Sequence, residues 1–360
     1  MPSFRSGVVS AVLSEREGLQ RVLVGERQAY VLTDLVGRVA VGDRVVVNTT
    51  AVDLGLGTGG WDVVHWNLAR TSWSDVATTG GPAGSGGSGG SGGPGGGVMK
   101  LRYTSLQTDV GAAEDDPAYD GGADLAGRPV VACTLHSQVP GVAGAVRNRR
   151  PDARIAYLMT DTAALPLALS DLVADLCRVG WLDLTLTAGQ AFGGDFEVVN
   201  VRSGLGVAAG IGCADVIVVG PGPGVVGTGS THGFSGLEVA GIVDAADRAG
   251  GRPIVALRVS DVDPRPRHRG VSHHSLTALA EAHAAAVVPI PRGEPRPPIA
   301  PPHAVIEVDI PDIAALAAAA GINLASMGRG PVDDPRCFTF AAAAGAFAAD
   351  LLEAMGPPRL

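Results

Sequence analysis

Apolar and polar positions alternate in short runs along the first part of the chain, at 8–13, 21–24, 29–32 and 44–48, and turn signals such as Val41-Gly42-Asp43 separate them. A period of two places every second side chain on one face. These runs therefore predict strands with one buried side, and their spacing predicts a small β-barrel or sandwich over residues 1–79. From about Arg128 the pattern changes to short continuous apolar runs at 129–134, 154–159, 182–187, 215–219, 253–259 and, more weakly, 286–290. Between them Leu169, Leu172, Val173 and Leu176 recur at helical spacing, with Pro166 at a permitted first-turn position, and Val239, Ile242, Val243 and Ala246 repeat the pattern. Strands alternating with helices specify an α/β fold, a three-layer domain with a mainly parallel sheet over 125–360. Alanine-rich helices between 310 and 352 are expected to cover that sheet. The connecting segment 98–124 holds one strand-like run, 99–106, which either closes the barrel or joins the next domain.

Residues 80–97 break the pattern with twelve glycines, four Ser or Ala and two prolines, and read as a flexible insertion. The 360 residues are accordingly read as two domains. An apolar content of 46% with 18% charged residues excludes wholesale disorder. No uninterrupted apolar run reaches the roughly 18 residues of a membrane span. The run at 8–13 is too short for a signal-peptide core. A cytoplasmic protein with no membrane partner is expected. The net charge of -9 argues against a nucleic-acid partner, which needs a basic face. Lys100 is the only lysine among 27 basic residues, so the main domain holds no Walker A loop and a Schiff-base lysine is disfavoured. Cys133, Cys177, Cys213 and Cys337 are far apart, without CxxC spacing, and read as buried small hydrophobes.

In an open parallel sheet ligands bind beyond the carboxyl ends of the strands. Each predicted strand here ends in a polar or glycine-rich segment: His136-Ser137-Gln138, then Thr160-Asp161-Thr162, then 189–195 with Gln190, Gly193, Gly194 and Asp195. The fourth, 220–236, reads GPGPGVVGTGSTHGFSG, seventeen residues with seven glycines where two to six residues are usual. Its Gly222, Gly224, Gly227, Thr228, Gly229 and Ser230 are candidates for cradling an anion on backbone N–H groups. A structural glycine turn is the alternative reading. Gly222 to Gly227 also fit GxGxxG, but the following helix begins only near Leu237, which weakens a dinucleotide site. The fifth segment, 260–275, supplies Arg265, Arg267 and Arg269 for a phosphate or carboxylate. It also carries His268, His273 and His274, the last two in the first turn of a helix capped by Ser272, where the dipole favours neutral imidazole. His273 or His268 is the candidate general acid or base, with Asp161 or Asp195 orienting it. A solvated arginine loop is the alternative. Asp195 also reads as the cap of the helix after it, and His283 as a core histidine. His136, His232, Asp161 and His268 lack a diagnostic metal spacing, so a metal is left open, and no cofactor is assigned. Ser137 and Ser235 lack a nucleophile elbow. The stretch 48–60, NTTAVDLGLGTGG, reads as a long hairpin loop or a flap.

Four stretches together, NTTAVDLGLGTGG at Asn48, GQAFGGDFE at Gly189, GPGPGVVGTGSTHGFSG at Gly220 and DPRPRHRGVSHHS at Asp263, resemble an uncharacterised bacterial family, the domain-of-unknown-function 3866 family. The resemblance spans almost the whole chain apart from 80–97. It implies a bacterial cytosolic protein and brings no reaction with it. From the residues, the expected function is an enzyme acting on a small anionic metabolite, phosphorylated or carboxylated, by hydrolysis or group transfer. The alternative is a non-catalytic nucleotide or metabolite sensor or scaffold. A homo-oligomer is left open.

Overall fold

The computed structural model describes residues 2–56, 59–74, 98–121 and 124–355, and the glycine-rich tract at 80–97 lies outside them. The chain divides into two compact units, 1–111 and 112–360.

In the first unit, β1 (Phe4–Arg16), β2 (Leu19–Val24) and β3 (Arg27–Leu32) form a meander. The short helix α1 (Thr33–Val36) leads to β4 (Arg44–Asn48), and α2 (Thr50–Asp53) lies between β4 and β5 (Asp62–Asn67). The strands close into a barrel in the order β1-β2-β3-β5-β4, a five-stranded arrangement of the Greek-key kind that leaves no open edge. The alternation fills it: Val9, Val22, Ala29, Val31, Val45 and Val64 point inward and are buried. β1 reaches both its neighbours by bending, with register shifts at Val9/Ala11 and Val12/Ser14. Gly7 permits the close approach, since a Cβ there would lie 2.5 Å from Val24 Cγ1. Buried Asp62 accepts two hydrogen bonds from the Arg27 guanidinium, at 2.8 and 2.9 Å, and so ties β3 to β5. Within the stretch 48–60, Asn48 Oδ1 accepts from the Thr50 N–H and hydroxyl and Asp53 accepts from the Thr49 hydroxyl, so this β4–β5 connection is folded on its own polar groups. The run 99–106 is not one strand: β6 (Val98–Lys100) pairs with β7 (Thr108–Val110) as a separate hairpin and takes no part in closing the barrel.

The second unit carries β8 (Pro129–Cys133), α3 (Val139–Arg149), β9 (Ile155–Thr160), α4 (Asp171–Arg178), β10 (Leu184–Ala188), β11 (Phe196–Val198), α5 (Val201–Ala209), β12 (Val216–Pro221) and α6 (Glu238–Arg248). After them come β13 (Arg252–Ala256), β14 (Val259–Ser260), β15 (Gly270–Val271), α7 (His273–Glu281), β16 (Val287–Pro291), β17 (Ala304–Val308), α8 (Ile313–Ala320) and α9 (Pro335–Met355). Eight of these strands form one parallel sheet in the order β11-β10-β9-β12-β8-β13-β16-β17. Val131, Ile155, Tyr157, Val216, Val218 and Ile254 face α3, α4, α8 and α9. Their neighbours in sequence, Val130, Ala156, Leu158, Ile217, Val219 and Val255, face α5, α6 and α7. Both sets are buried, which is why the strands read as continuous apolar runs.

The edge strands β11 and β17 go beyond what the pattern predicts. Both carry partly exposed residues, so their runs lack the apolar continuity of central strands. The run 253–259 is broken at Leu257-Arg258 into β13 and β14. The alanine-rich run near the C-terminus is longer than it reads. Pro335–Ala354 is long and apolar enough by length and composition to cross a membrane, and 67% of its window is buried within the protein. The helix after Asp195 is capped by Asn200, whose side chain accepts from Ser203 N–H, and Val198 belongs to β11 rather than to that helix. His283 lies beyond the end of α7 and is exposed, because the apolar spacing that placed it in the core stops at Glu281.

Candidate functional site

Crossovers from β8 and β9 run along the α3/α4 face, whereas those from β11, β12 and β13 run along the opposite face. The chain therefore diverges at the carboxyl ends of β9, β12, β8 and β13, where crevices form in doubly wound sheets. Gln138 holds this edge together. Its Oε1 accepts from the Thr134 and Leu135 N–H groups, and its amide donates to Ala256 O at the end of β13.

The break after β13 builds the site. The chain turns at Arg258, runs out along β14 and returns along β15, which pairs antiparallel with it. Arg258 N–H donates to Ser275 Oγ at 2.9 Å, and Ser272 N–H donates to Arg258 O at 2.8 Å, so the start of α7 is stitched to the end of the sheet. Ser272 Oγ accepts from His274 N–H as the helix cap and lies 2.7 Å from His268 Nδ1. Three imidazoles are thereby packed together. Ring centroids are 5.1 Å apart for His268 and His273, 4.6 Å for His268 and His274, and 4.4 Å for His273 and His274. The long glycine loop supplies a lid to this cluster. Its hairpin, bridged at Gly227 and Phe234, lays the Phe234 ring on His274 at 3.8 Å and edge-on to His273 at 5.5 Å. His232 on the same hairpin meets Glu281 at 3.1 Å.

Arg258 is buried, with Nη1 3.4 Å from His274 Nδ1 and Nη2 3.4 Å from Asp263 Oδ2. The fully buried Asp263 also receives the Arg265 fork at 2.9 and 2.8 Å and lies 3.9 Å from Arg329. The bonds from Arg265, assisted by Arg258, hold the Asp263 carboxyl far below the usual carboxylate range. Asp334, also buried, accepts from Ser260 at 2.6 Å and from Arg329 at 3.3 Å. Three guanidinium groups against two carboxylates leave the region cationic. Burial, reinforced by Arg258, pushes the His268 pKa down to about 4 and that of His274 to about 3. Burial and then Arg267 lower His273 in the same direction. All three rings are neutral near pH 7.

Of the residues expected in the site, His268, His273, Arg267 and Gly227 come together around His274, with Arg265 acting on His268. Arg269 turns back to donate to Asp263 O, while Arg267 is exposed and makes no hydrogen bond or ion pair among the described residues. Neither expected orienting carboxylate reaches a histidine. Asp161 accepts from Gln190 N–H, and β9 stands three strand spacings from β13, roughly 14 Å. Asp195 accepts from the Thr185 N–H and hydroxyl near the start of β10, so it fastens the sheet margin instead. Ser272 and Arg258 take the orienting role.

Part of the expected amide cradle is taken up by the protein's own acceptors. Gly193 and Gly194 donate their N–H groups to Glu197 and Thr187, as Gln190 does to Asp161. In the hairpin the amides of Val226, Thr228, Ser230 and Gly233 are taken up by acceptors within the loop. Gly222, Gly224 and Gly229 shape the loop, with Gly224 at φ 89°. His136 bonds to Ser170 and Tyr157, apart from the histidine cluster. His136, His232, Asp161 and His268, for which the sequence leaves a metal open, are not gathered as one set, and among the described residues His268, His273 and His274 have metal-ligand proximity.

The sequence reading missed Arg258, Phe234, Arg329, Asp334 and Glu238. Arg258 was hidden inside an apparent strand, and its only signal is a charge at the end of an otherwise apolar run. Glu238 opens α6, accepts from Thr160 and Thr162 at 2.9 and 2.7 Å, and is pushed up to about 7 by burial. A cleft of about 440 Å³ beyond β16 and β17 is lined by Arg292, Glu294, Asp309 and Thr339 and does not include the histidines. Its charges are matched within the cleft wall, Arg292 to Asp309 and Glu294 to Arg336.

Barrel, doubly wound sheet and carboxyl-edge imidazole cluster together define a two-unit α/β protein with a cationic candidate site. The chain belongs to the family described as Protein of unknown function (DUF3866), which it matches over residues 28–345. No curated protein matches it.

Proposed function

We propose that the protein is a cytoplasmic enzyme that hydrolyses, or transfers a group from, a small phosphorylated or carboxylated metabolite at the β13–α7 corner. One observation carries the reading: three neutral imidazoles are gathered beside Arg258, Arg265 and Arg267 at the first turn of α7. Neutral rings keep their lone pairs for chemistry, and uncompensated guanidinium charge favours an anion. Arg267 is the residue free to meet it, since Arg265 is held by Asp263. Side chains, rather than loop amides, select the ligand.

The test is a panel of phosphate monoesters, carboxylate esters and group-transfer donors, with wild type, His273→Ala and Arg267→Ala. The expected result is turnover that falls at least about a hundredfold in His273→Ala and a raised KM in Arg267→Ala. Inactivity across the panel with no thermal stabilisation by phosphate esters overturns the proposal. A ligand bound and recovered unchanged also overturns it, in favour of a sensor.

A further inference from the structure

We propose that His268, His273 and His274 form a binding site for one first-row transition-metal ion of the zinc class. The inference concerns the same site as the proposed function, but its test reads metal binding alone, so either can fail without the other. One donor nitrogen from each ring lies within 4.8 Å of the others. Nitrogens around a tetrahedral ion at about 2.0–2.1 Å sit roughly 3.4 Å apart, a closure that small side-chain rotations supply.

The state of the nitrogens distinguishes an ion from other occupants. Nε2 of His273 and Nε2 of His274 are both shielded from solvent and have no hydrogen-bond partner among the described residues, and His274 is 6% exposed. Buried polar atoms are rarely left this way. The lone pair of an unprotonated ring nitrogen repels a phosphate oxygen, whereas a bare cation needs only lone pairs converging at bonding distance. Ser272 Oγ on His268 Nδ1 leaves Nε2 of that ring free, the arrangement in which an outer hydrogen bond orients a metal-bound imidazole. Coordination through Nε2 of His274 puts that ring's hydrogen on Nδ1. Arg258, only 3.4 Å from this nitrogen, then shifts toward Asp263, which it faces at the same distance.

The donor set also selects the ion. Imidazoles without a carboxylate suit zinc, cobalt, nickel or copper and not magnesium or calcium. Three neutral ligands leave the ion's full charge beside Arg258 and Arg265, so an anion completes its coordination. Metal and phosphate should therefore bind cooperatively. With an ion present, the imidazoles act by holding it rather than by exchanging protons.

Chelator-treated full-length protein would be titrated with Zn²⁺ by calorimetry and with Co²⁺ by absorption, with and without inorganic phosphate. The expected result is one equivalent bound, visible-region cobalt bands of a nitrogen-ligated ion, tighter binding with phosphate and no competition from Mg²⁺. His268→Ala, His273→Ala and His274→Ala should each weaken binding at least a hundredfold, with far-UV circular dichroism reporting whether each variant is folded. His232→Ala and His303→Ala should leave it unchanged, since His232 faces Glu281 and His303 bonds to Leu279 O. Absence of Zn²⁺ and Co²⁺ binding by the wild type overturns the inference regardless of how the variants fold, as does binding that the three substitutions leave intact.

Discussion

At the scale of single residues, the site depends on charges held where water cannot reach them. Asp263 is the hub, because one buried carboxylate faces Arg258, Arg265 and Arg329, and without it three guanidinium groups would share a low-dielectric pocket. Glu238 is the opposite case, a carboxyl on the same sheet edge with no cationic partner among the described residues, held by two threonine hydroxyls beside Asp161. Its pKa rises from 4.5 to about 7, chiefly through burial, so the fold favours the protonated form. The stability this contributes is fully present below pH 4.5 and is lost as pH rises through about 7. The change is worth roughly 3 kcal/mol at about 1.36 kcal/mol per pH unit. Glu238→Gln keeps an oxygen for Thr160 and Thr162 but cannot ionise. Urea titrations at pH 5 and pH 8.5 should therefore show the wild type losing stability relative to Glu238→Gln as pH rises. Parallel pH profiles for the two proteins would refute a raised Glu238.

At the scale of elements, the central strands and amphipathic helices were legible because burial on both faces writes itself as uninterrupted apolar sequence. What the sequence left unreadable was decided by three-dimensional neighbours. β11 is three residues long and found only by its pairing with β10, and Arg258 looked like the tail of a strand until the backbone turned there. The histidines at the start of α7 were legible from the Ser272 cap, whereas the roles of Asp161 and Asp195 were not, because a loop carboxylate and a backbone amide that bond each other leave no mark in either sequence. Close helix contact is similarly hidden in small residues. A Cβ at Gly345 of α9 would fall 2.1 Å from Val142 O of α3, and one at Gly141 would fall 2.7 Å from the Ala341 Cβ. In an isolated helix, Gly345→Ala would stabilise by about 1 kcal/mol. Here the clash is with backbone, so the helices must separate, and overpacking of this kind costs about 1–3 kcal/mol. The expected outcome is a lower urea midpoint with an unchanged slope. A midpoint at or above that of the wild type would show that α3 and α9 have room to move apart.

At the scale of the whole molecule, the family match at 28–345 covers residues of both units. Their cores are nonetheless separate. Val9, Val22, Val31 and Val45 fill the barrel, while the α/β unit has a buried layer on each side of its own sheet. Every group assigned to the site, from the 220–236 hairpin to Arg258, the three histidines and Arg329, belongs to the unit 112–360. That unit is large enough to bury about 70% of its unfolded surface, which is ample for independent folding. Residues 112–360 expressed alone should thus melt in one cooperative transition, show near-UV circular dichroism from fixed aromatic side chains, and give the same thermal response to phosphate esters as the full chain. A fragment that binds dye like a molten globule and lacks a cooperative transition would show that the barrel is needed to complete the α/β core. A fragment that folds but has lost the ligand response would instead place part of the site in the barrel, against the geometry of the β13–α7 corner.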